Sequence, residues 1–534
     1  MHRRRHGGDP AQLHRQPDRA RRQDHQRRLD LKPTYTHPEA KAYRAHGGPW
    51  DVPSLDVLIT EAARTSNGTL LADDTTGTRL DGRHLESRVA ALAGGLRAAG
   101  VKRGDVVAWQ APNWHEVVLL YRACWRLGAI AGPIHHLAGP TDVEGMLAVL
   151  EPTVWLPKEE VRGPSARLKT LGDCATPVTR SAARPSDLAA VLFTSGSTGG
   201  PKAALHTQRG FAYKAQVMAR AHGLHLTDSV LMPAPLAHVS GLLNAVLLPG
   251  VVPICAHLMA SWDPDTAIET IERERISFMI GPTTFFVSLM DARTFDTERV
   301  TSLRLVSSGG AGVTPAFVEE ATRRLDCTVK RTYGSTEAPT VTTSMTNDPF
   351  ERARDTDGRS TGAARLRVSD PETGRERPTG EPGELWLRGP ELFVGYADRE
   401  QTRAAIKNGW FRTGDLATVD EDGWVTIVGR IKDVIIRGGE NIAAAEVEAV
   451  LERHPDIRHA VAVGYPDDRL GERVCAFVVA NGSFDLAKCR AWFEEQGIAR
   501  YKTPERVIEL DELPLLAAGK ADRGALRTRA AATP

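Results

Sequence analysis

The chain alternates helix, turn and strand from about Leu55 onward, and this alternation limits it to layered sheets covered by helices. The stretch His84 to Ala99 reads as an amphipathic helix. It runs through Gly100-Val101-Lys102-Arg103-Gly104-Asp105 into the strand-like Val106-Val107-Ala108-Trp109. The unit then recurs: Glu116 to Leu127 has an apolar helical face, stops at Gly128 and leads into Ala129-Ile130-Ala131-Gly132-Pro133-Ile134. At 534 residues the chain exceeds what one core usually holds, so at least two domains are expected.

Within this pattern the apolar run Ala189 to Phe193 leads into Thr194-Ser195-Gly196-Ser197-Thr198-Gly199-Gly200-Pro201-Lys202. Glycines let backbone N–H groups approach a polyphosphate, and hydroxyls and an ammonium add donors and charge. A mobile Ser/Gly surface loop has the same composition. The preceding strand favours a ligand loop at its carboxyl end. The spacing does not fit a Walker-type loop, since no Gly stands five residues ahead of a Gly-Lys pair followed by Ser or Thr. Nor does it fit a dinucleotide fold, because Gly310-Ala311-Gly312-Val313-Thr314-Pro315 lacks the final glycine. Two further strands, Leu303 to Ala311 and Thr328 to Glu337, also end in small or polar residues, so three loops can meet around one ligand.

Composition removes several alternatives. A formal net charge of +1 gives no general case for nucleic acid or an anionic membrane as partner. The six cysteines form no C-x-x-C pair, which opposes a zinc site and fits reduced cytoplasmic thiols. Val239 to Trp262 carries no formal charge and is long enough to span a bilayer, but Asn244, Pro249, Pro253 and His257 interrupt it. It is read as a buried helix followed by a core strand, so no integral membrane segment is expected. Residues 1–35 are rich in Arg and His and poor in apolar side chains, and are expected to be a disordered basic tail. A tail without function is favoured over a transit peptide, because Asp9, Asp18 and Asp24 interrupt it and few apolar residues could form an amphipathic face.

The order of motifs resembles the acyl-adenylate-forming (AMP-binding) enzymes: acyl-CoA synthetases, aryl-CoA ligases, luciferases and peptide-synthetase adenylation domains. The resemblance runs from about Leu55 to about Arg523. It rests on Thr194 to Lys202, Tyr333-Gly334-Ser335-Thr336-Glu337, Gly409-Trp410-Phe411-Arg412-Thr413-Gly414-Asp415, Gly429-Arg430-Ile431-Lys432-Asp433 and Gly519-Lys520, in the family's order. It implies an α/β fold with a large N-terminal domain of layered sheets covered by helices, over 36–430, and a small mobile α+β C-terminal domain over 431–534. The implied reaction activates a carboxylic acid as acyl-AMP, releases pyrophosphate and passes the acyl group to a thiol, with ATP, Mg2+ and coenzyme A taking part.

The resemblance also assigns residues. Thr194, Ser195, Gly196, Ser197, Thr198, Gly199 and Lys202 would handle the β- and γ-phosphates. Thr336 would donate to the α-phosphate, and Glu337 would hold Mg2+, for which a carboxylate is a suitable hard ligand. Adenine is expected between Gly309, Gly310 and Ala311 and the ring of Tyr333, beside Gly334. Asp415 would accept from both ribose hydroxyls and Arg430 would reach the same sugar. Lys520 would enter for adenylation as a point charge between carboxylate and α-phosphate. Lys432 matches the hinge about which the C-terminal domain swings, bringing Gly438 and Gly439 against the pantetheine arm. Ala444 departs from relatives that often carry proline there.

His238, in Pro235-Leu236-Ala237-His238-Val239-Ser240-Gly241, would lie near the substrate carboxylate or gate the acyl chain; a satisfied structural histidine is the alternative. No aspartate occurs between Pro235 and Leu248, which disfavours an α-amino acid substrate. The expected lining of His238, Leu242, Leu243, Pro282, Thr283, Ser308, Thr332 and Ala338 suits a short- or medium-chain, alicyclic or aromatic acid. Alternatives are loading of a carrier-protein thiol, a luciferase-like oxygenase, or a nucleotide-binding relative that lost catalysis. A homodimer is compatible with all of these.

Overall fold

The computed structural model describes residues 31–173, 176–194, 201–310, 312–438, 440–467, 469–516 and 520–533. Three sheets precede Arg430 and a fourth follows it. In the largest, the strands Thr328–Tyr333, Leu305–Gly309, Phe278–Gly281, Ser229–Met232 and Cys255–Leu258 lie side by side and parallel. Their carboxyl ends therefore form one rim, which carries the Tyr333-to-Glu337 segment, the Gly309-Gly310 turn, Pro282 and the loop leading to His238.

A second, five-stranded sheet runs Val154–Leu156, Val106–Gln110, Ile130–Ile134, Leu188–Thr194 and Lys202–Thr207. Only the last pair is antiparallel, with Thr194 opposite Lys202. The sequence places Lys202 in a loop at the end of a buried strand; instead it begins the return strand of a hairpin, since a short connection can join antiparallel neighbours but no parallel ones. Ser195, Gly196, Ser197, Thr198, Gly199, Ala311 and Gly439 lie outside the described residues.

The helix His115–Leu127 is buried along nearly its whole circumference, with Tyr121 and Trp125 fully enclosed and Tyr121 set edge-on to Trp109. A helix so placed must neutralise its charges internally. Arg126 does so through Asp56 at 2.8 Å and Glu86 at 2.7 Å, and Arg122 pairs with the other oxygen of Glu86. Gly128 closes the helix at φ +68°, as its C-terminal glycine predicts. The uncharged stretch from Val239 forms helix through Val251, with a π-helical turn at Leu243–Leu247, and then the core strand Cys255–Leu258. No helix among the described residues is long and apolar enough to cross a membrane.

The third sheet pairs Trp410–Val419 with both Gly383–Arg388 and Val425–Arg430, so Asp415 and Arg430 are direct cross-strand partners. After the 3₁₀ turn Ile431–Asp433 the chain builds a separate sheet, in which Gly471–Ala480 pairs with Ile457–Asp467 and Arg506–Glu509 over its own apolar core. The last residues of the expected basic tail over 1–35 are tied to the fold: the N–H groups of Thr34 and Tyr35 both donate to the Val394 carbonyl, and the Tyr35 hydroxyl donates to the Gly409 carbonyl. Their polar and aromatic side chains give this short segment an anchorage that average composition hides.

Candidate active site

The rim of the large sheet and the edge of the third sheet meet at Tyr333. Its hydroxyl donates to Asp415 Oδ2 at 2.6 Å, and Arg430 Nε donates to Asp415 Oδ1 at 2.6 Å. Burial, reinforced by Asp415, pushes the Tyr333 hydroxyl well above its usual pKa, so it remains a donor. Burial works against the Arg430 cation, but Asp415 outweighs it and raises the pKa. The carboxylate is buried while the guanidinium is half exposed, so the pair faces a cleft.

The Gly309-Gly310 turn excludes side chains at Gly309 by contact and at Gly310 by backbone conformation. A Cβ at Gly309 would lie 2.2 Å from the Thr332 carbonyl oxygen, and Gly310 adopts φ +80°. A Cβ at Gly310 would come within 3.3 Å of Lys520 Cε and 3.6 Å of Lys520 Nζ. Lys520 thus reaches across from the small sheet's side to the glycine turn. It is presented by a narrow loop in which the Leu516 N–H donates to the Lys520 carbonyl at 2.7 Å and the Asp522 N–H to the Pro514 carbonyl at 2.8 Å. Lys520 is solvent-exposed, but the surrounding protein partly desolvates it. This effect, followed by the Arg430 charge, lowers its pKa against the pull of Asp415.

Glu337 is buried and accepts from the Tyr396 hydroxyl at 2.5 Å through one oxygen. No hydrogen bond to its other oxygen occurs among the described residues, which leaves a hard oxygen ligand of the kind Mg2+ takes. Lys202 Nζ lies 5.4 Å from the centre of the same Tyr396 ring, so the phosphate-segment lysine and the carboxylate share Tyr396 as a neighbour. Among the described residues, the one other group with metal-ligand geometry is Asp73, His115 and Glu116. It already encloses the Arg162 guanidinium, which bonds both carboxylates, and is an ion-pair network.

His238 precedes the short helix Val239–Leu242, and its ring lies 5.1 Å from that of His135, which stacks on His136 at 4.7 Å. Burial first, then Lys520 and His136, lower its pKa to about 4, so it is neutral at pH 7. Of the expected acyl lining, Leu242, Leu243 and Ala338 are closed off in the apolar core. Ser308 is fully buried and its hydroxyl has no partner among the described residues, and Thr332 donates to the Thr342 carbonyl. Pro282 caps the helix Thr283–Met290.

The structure therefore gathers Tyr333, Asp415, Arg430, Gly309, Gly310 and Lys520 in one cluster, and Glu337 with Lys202 across Tyr396. It does not bring Gly438 to them: that glycine, at φ +59°, donates to the Leu470 carbonyl. Lys432 is exposed on the turn after Arg430.

Three contributors escaped sequence reasoning. Tyr396 follows a glycine in an apolar run and has no diagnostic spacing. Asn113 is buried, with its amide nitrogen 2.8–3.3 Å from the carbonyls of Met232, Pro233, Ala234 and Met259 and its oxygen accepting from the Leu236 N–H. It thus fixes the loop that ends at His238. The adjacent pair His135-His136 was visible in the sequence, but only the sheet order puts it beside His238.

The chain is similar to known proteins over most of its length. A family model described as AMP-binding enzyme matches residues 59–397, and another, described as AMP-binding enzyme C-terminal domain, matches 446–520. The medium-chain fatty-acid–CoA ligase of Escherichia coli (strain K12) is 31% identical over 539 residues, covering 94% of this chain and 95% of the relative. A feruloyl-CoA synthase of Amycolatopsis sp is 33% identical over 472 residues, covering 85% and 94%. The crystal structure of ATP-bound MatB from Rhodopseudomonas palustris superposes with a TM-score of 0.80 at 26% identity, covering 89% of this chain and 99% of that one.

Proposed function

Because the chain belongs to the AMP-binding enzyme family and is an adenylate-forming acid–thiol ligase, we propose that it activates a short- or medium-chain, alicyclic or aromatic carboxylic acid as its CoA thioester. A carboxylate oxygen attacks the α-phosphorus of ATP, the bond to the β-phosphate oxygen breaks, and pyrophosphate leaves. The CoA thiol, losing its proton to solvent, then attacks the acyl carbon and AMP departs with the bonding pair.

The observation that carries this reading is the approach of Lys520 to the Gly310 turn, beside the Tyr333–Asp415–Arg430 cluster. A lysine there offsets charge where carboxylate and α-phosphate meet, and a preorganised cation in a cleft is among the strongest contributions a protein can make. Asp415 holds the ribose hydroxyls and exchanges its bond to Tyr333 or Arg430 for them. Adenine lies against Tyr333 and the glycine turn, Thr336 donates to the α-phosphate, and the segment 194–202 cradles the outer phosphates. Glu337, oriented by Tyr396, would hold Mg2+, which when bound neutralises phosphate charge. Neutral His238 donates at the carboxylate without repelling Lys520.

Residues 431–534 act as a mobile unit hinged at Lys432. Their rotation withdraws Lys520 and presents Gly438 and Gly439 to the pantetheine arm. The lack of an aspartate between Pro235 and Leu248 supports an acid without an ammonium group, and relatives named for a fatty acid and for ferulate support both aliphatic and aromatic candidates.

The test is pyrophosphate release with ATP and Mg2+ over a panel from acetate to octanoate, cyclohexanecarboxylate and benzoates, with and without CoA. Acid-dependent release that turns over only with CoA is expected. Turnover with a carrier-protein thiol in its place would move the acceptor, and silence across the panel would overturn the reading.

A further inference from the structure

His135 and His136 follow directly on the strand Ile130–Ile134 of the five-stranded sheet. That strand runs parallel to Leu188–Thr194 with Ala131 level with Ala190. The neighbouring strand ends at Thr194, where the phosphate segment begins, so His135 follows the strand next to the one that leads into that segment. The loop is held by Gln110, whose amide donates to the carbonyls of His135 at 3.1 Å and Ala138 at 3.0 Å.

The tautomer of His135 follows from its own hydrogen bond. The Leu137 N–H donates to Nδ1 at 3.1 Å, so the neutral ring carries its proton on Nε2. That Nε2–H is buried and has no acceptor among the described residues. Burial, then His238 and His136, lower the pKa of His135 to about 3, so at pH 7 it is a neutral donor. The charged and titratable groups felt nearby are basic: His136 and His238, with Lys158 acting on His136 and Lys520 on His238. An unpaired donor among basic groups is made for an oxyanion.

Two oxyanions reach this cleft if the proposed function holds, on which this inference rests: the acid's carboxylate and the outer phosphates. The expected acyl wall stands on the large sheet, whereas His135 stands on the smaller one beside the strand that leads into the phosphate segment. We propose that His135 Nε2–H donates to a β- or γ-phosphate oxygen, carried by ATP before the reaction and by pyrophosphate after it.

Two substitutions separate the donor from the loop it stands on. His135→Asn keeps an acceptor near Nδ1 for the Leu137 N–H and removes the outer donor; His135→Gln restores an N–H near the Nε2 position. Calorimetric titration with inorganic pyrophosphate and Mg2+ is expected to show about tenfold weaker binding for His135→Asn, the usual effect of losing one hydrogen bond to a charged group, and recovery of most of it in His135→Gln. An equal rise in the KM for ATP, with the KM for the acid unmoved, supports a contact present throughout. A loss confined to pyrophosphate supports the leaving-group contact and overturns the one to bound ATP. Wild-type pyrophosphate binding in His135→Asn overturns the proposal, as does a rise in the acid's KM alone, which assigns the donor to the acid. If the wild type shows no acid-dependent ATP–pyrophosphate exchange, the functional reading fails, while the direct titration still decides what His135 binds.

Discussion

A lysine near a chain end is ordinarily a solvated charge, and what distinguishes Lys520 is the 3.6 Å between its ammonium and the place a Cβ would take on Gly310. The chemistry argued for it acts in one half-reaction only. For Lys520→Ala, adenylation is expected to fall by at least ~10³, in keeping with loss of a preorganised transition-state contact. Attack of CoA on supplied acyl-adenylate is expected to persist. Single-turnover assays of the two steps check this, and equal loss in both would remove the hinge assignment. Lys520, Glu337 and Asp415 were legible because each closes a short motif. Tyr396 was not, because a hydrogen bond from residue 396 to residue 337 leaves no local pattern in the chain.

At the scale of elements, strands and helices followed from apolar runs and glycine stops, and those bounds held within a few residues from His84 to Tyr333. Pairing order was not readable. Nothing local says that Cys255–Leu258 inserts between Ser229–Met232 and Thr69–Asp73, or that Lys202–Thr207 turns back on its predecessor. The loop between Met232 and His238 shows the consequence, since it is held by Asn113 from the neighbouring sheet. Removing that amide leaves several buried carbonyls and the Leu236 N–H unpaired. Asn113→Ala is therefore expected to cost about 2–4 kcal/mol, the range for breaking such a network, and to raise the KM for the acid more than that for ATP. Chemical denaturation and steady-state kinetics measure both. An unchanged denaturation midpoint would mean the loop is held by other contacts.

Over the whole molecule, burial leaves several imidazoles neutral. His37 and His206 are almost fully enclosed and, with His238, have pKa values lowered to about 4, chiefly by desolvation. The unfolded chain binds protons at these sites near pH 6.5 and the folded chain does not. Their stabilising contribution is therefore complete above about pH 6.5 and is lost as pH falls toward 4. Each deeply buried histidine is expected to withdraw about 1 kcal/mol between pH 6.5 and 5.5. Melting curves across that interval should fall with acid, and His206→Gln should flatten the fall; identical slopes would discount His206.

The two parts of the chain also touch directly, Arg458 of the small sheet pairing with Asp291 of the large part at 2.9 Å. Such a contact lies far beyond the reach of periodicity. The sequence by itself determined the layered α/β class, the candidate nucleotide site and the chemistry available there, because these depend on short-range patterns of burial, turn formation and charge. Tertiary structure alone decided which rim the motifs share, how Tyr396 and Asn113 hold them, and that His135, following the strand next to the one ending at Thr194, presents a buried donor with no acceptor among the described residues. Those outcomes depend on strand order and on distances between residues hundreds of positions apart, and a one-dimensional pattern carries neither.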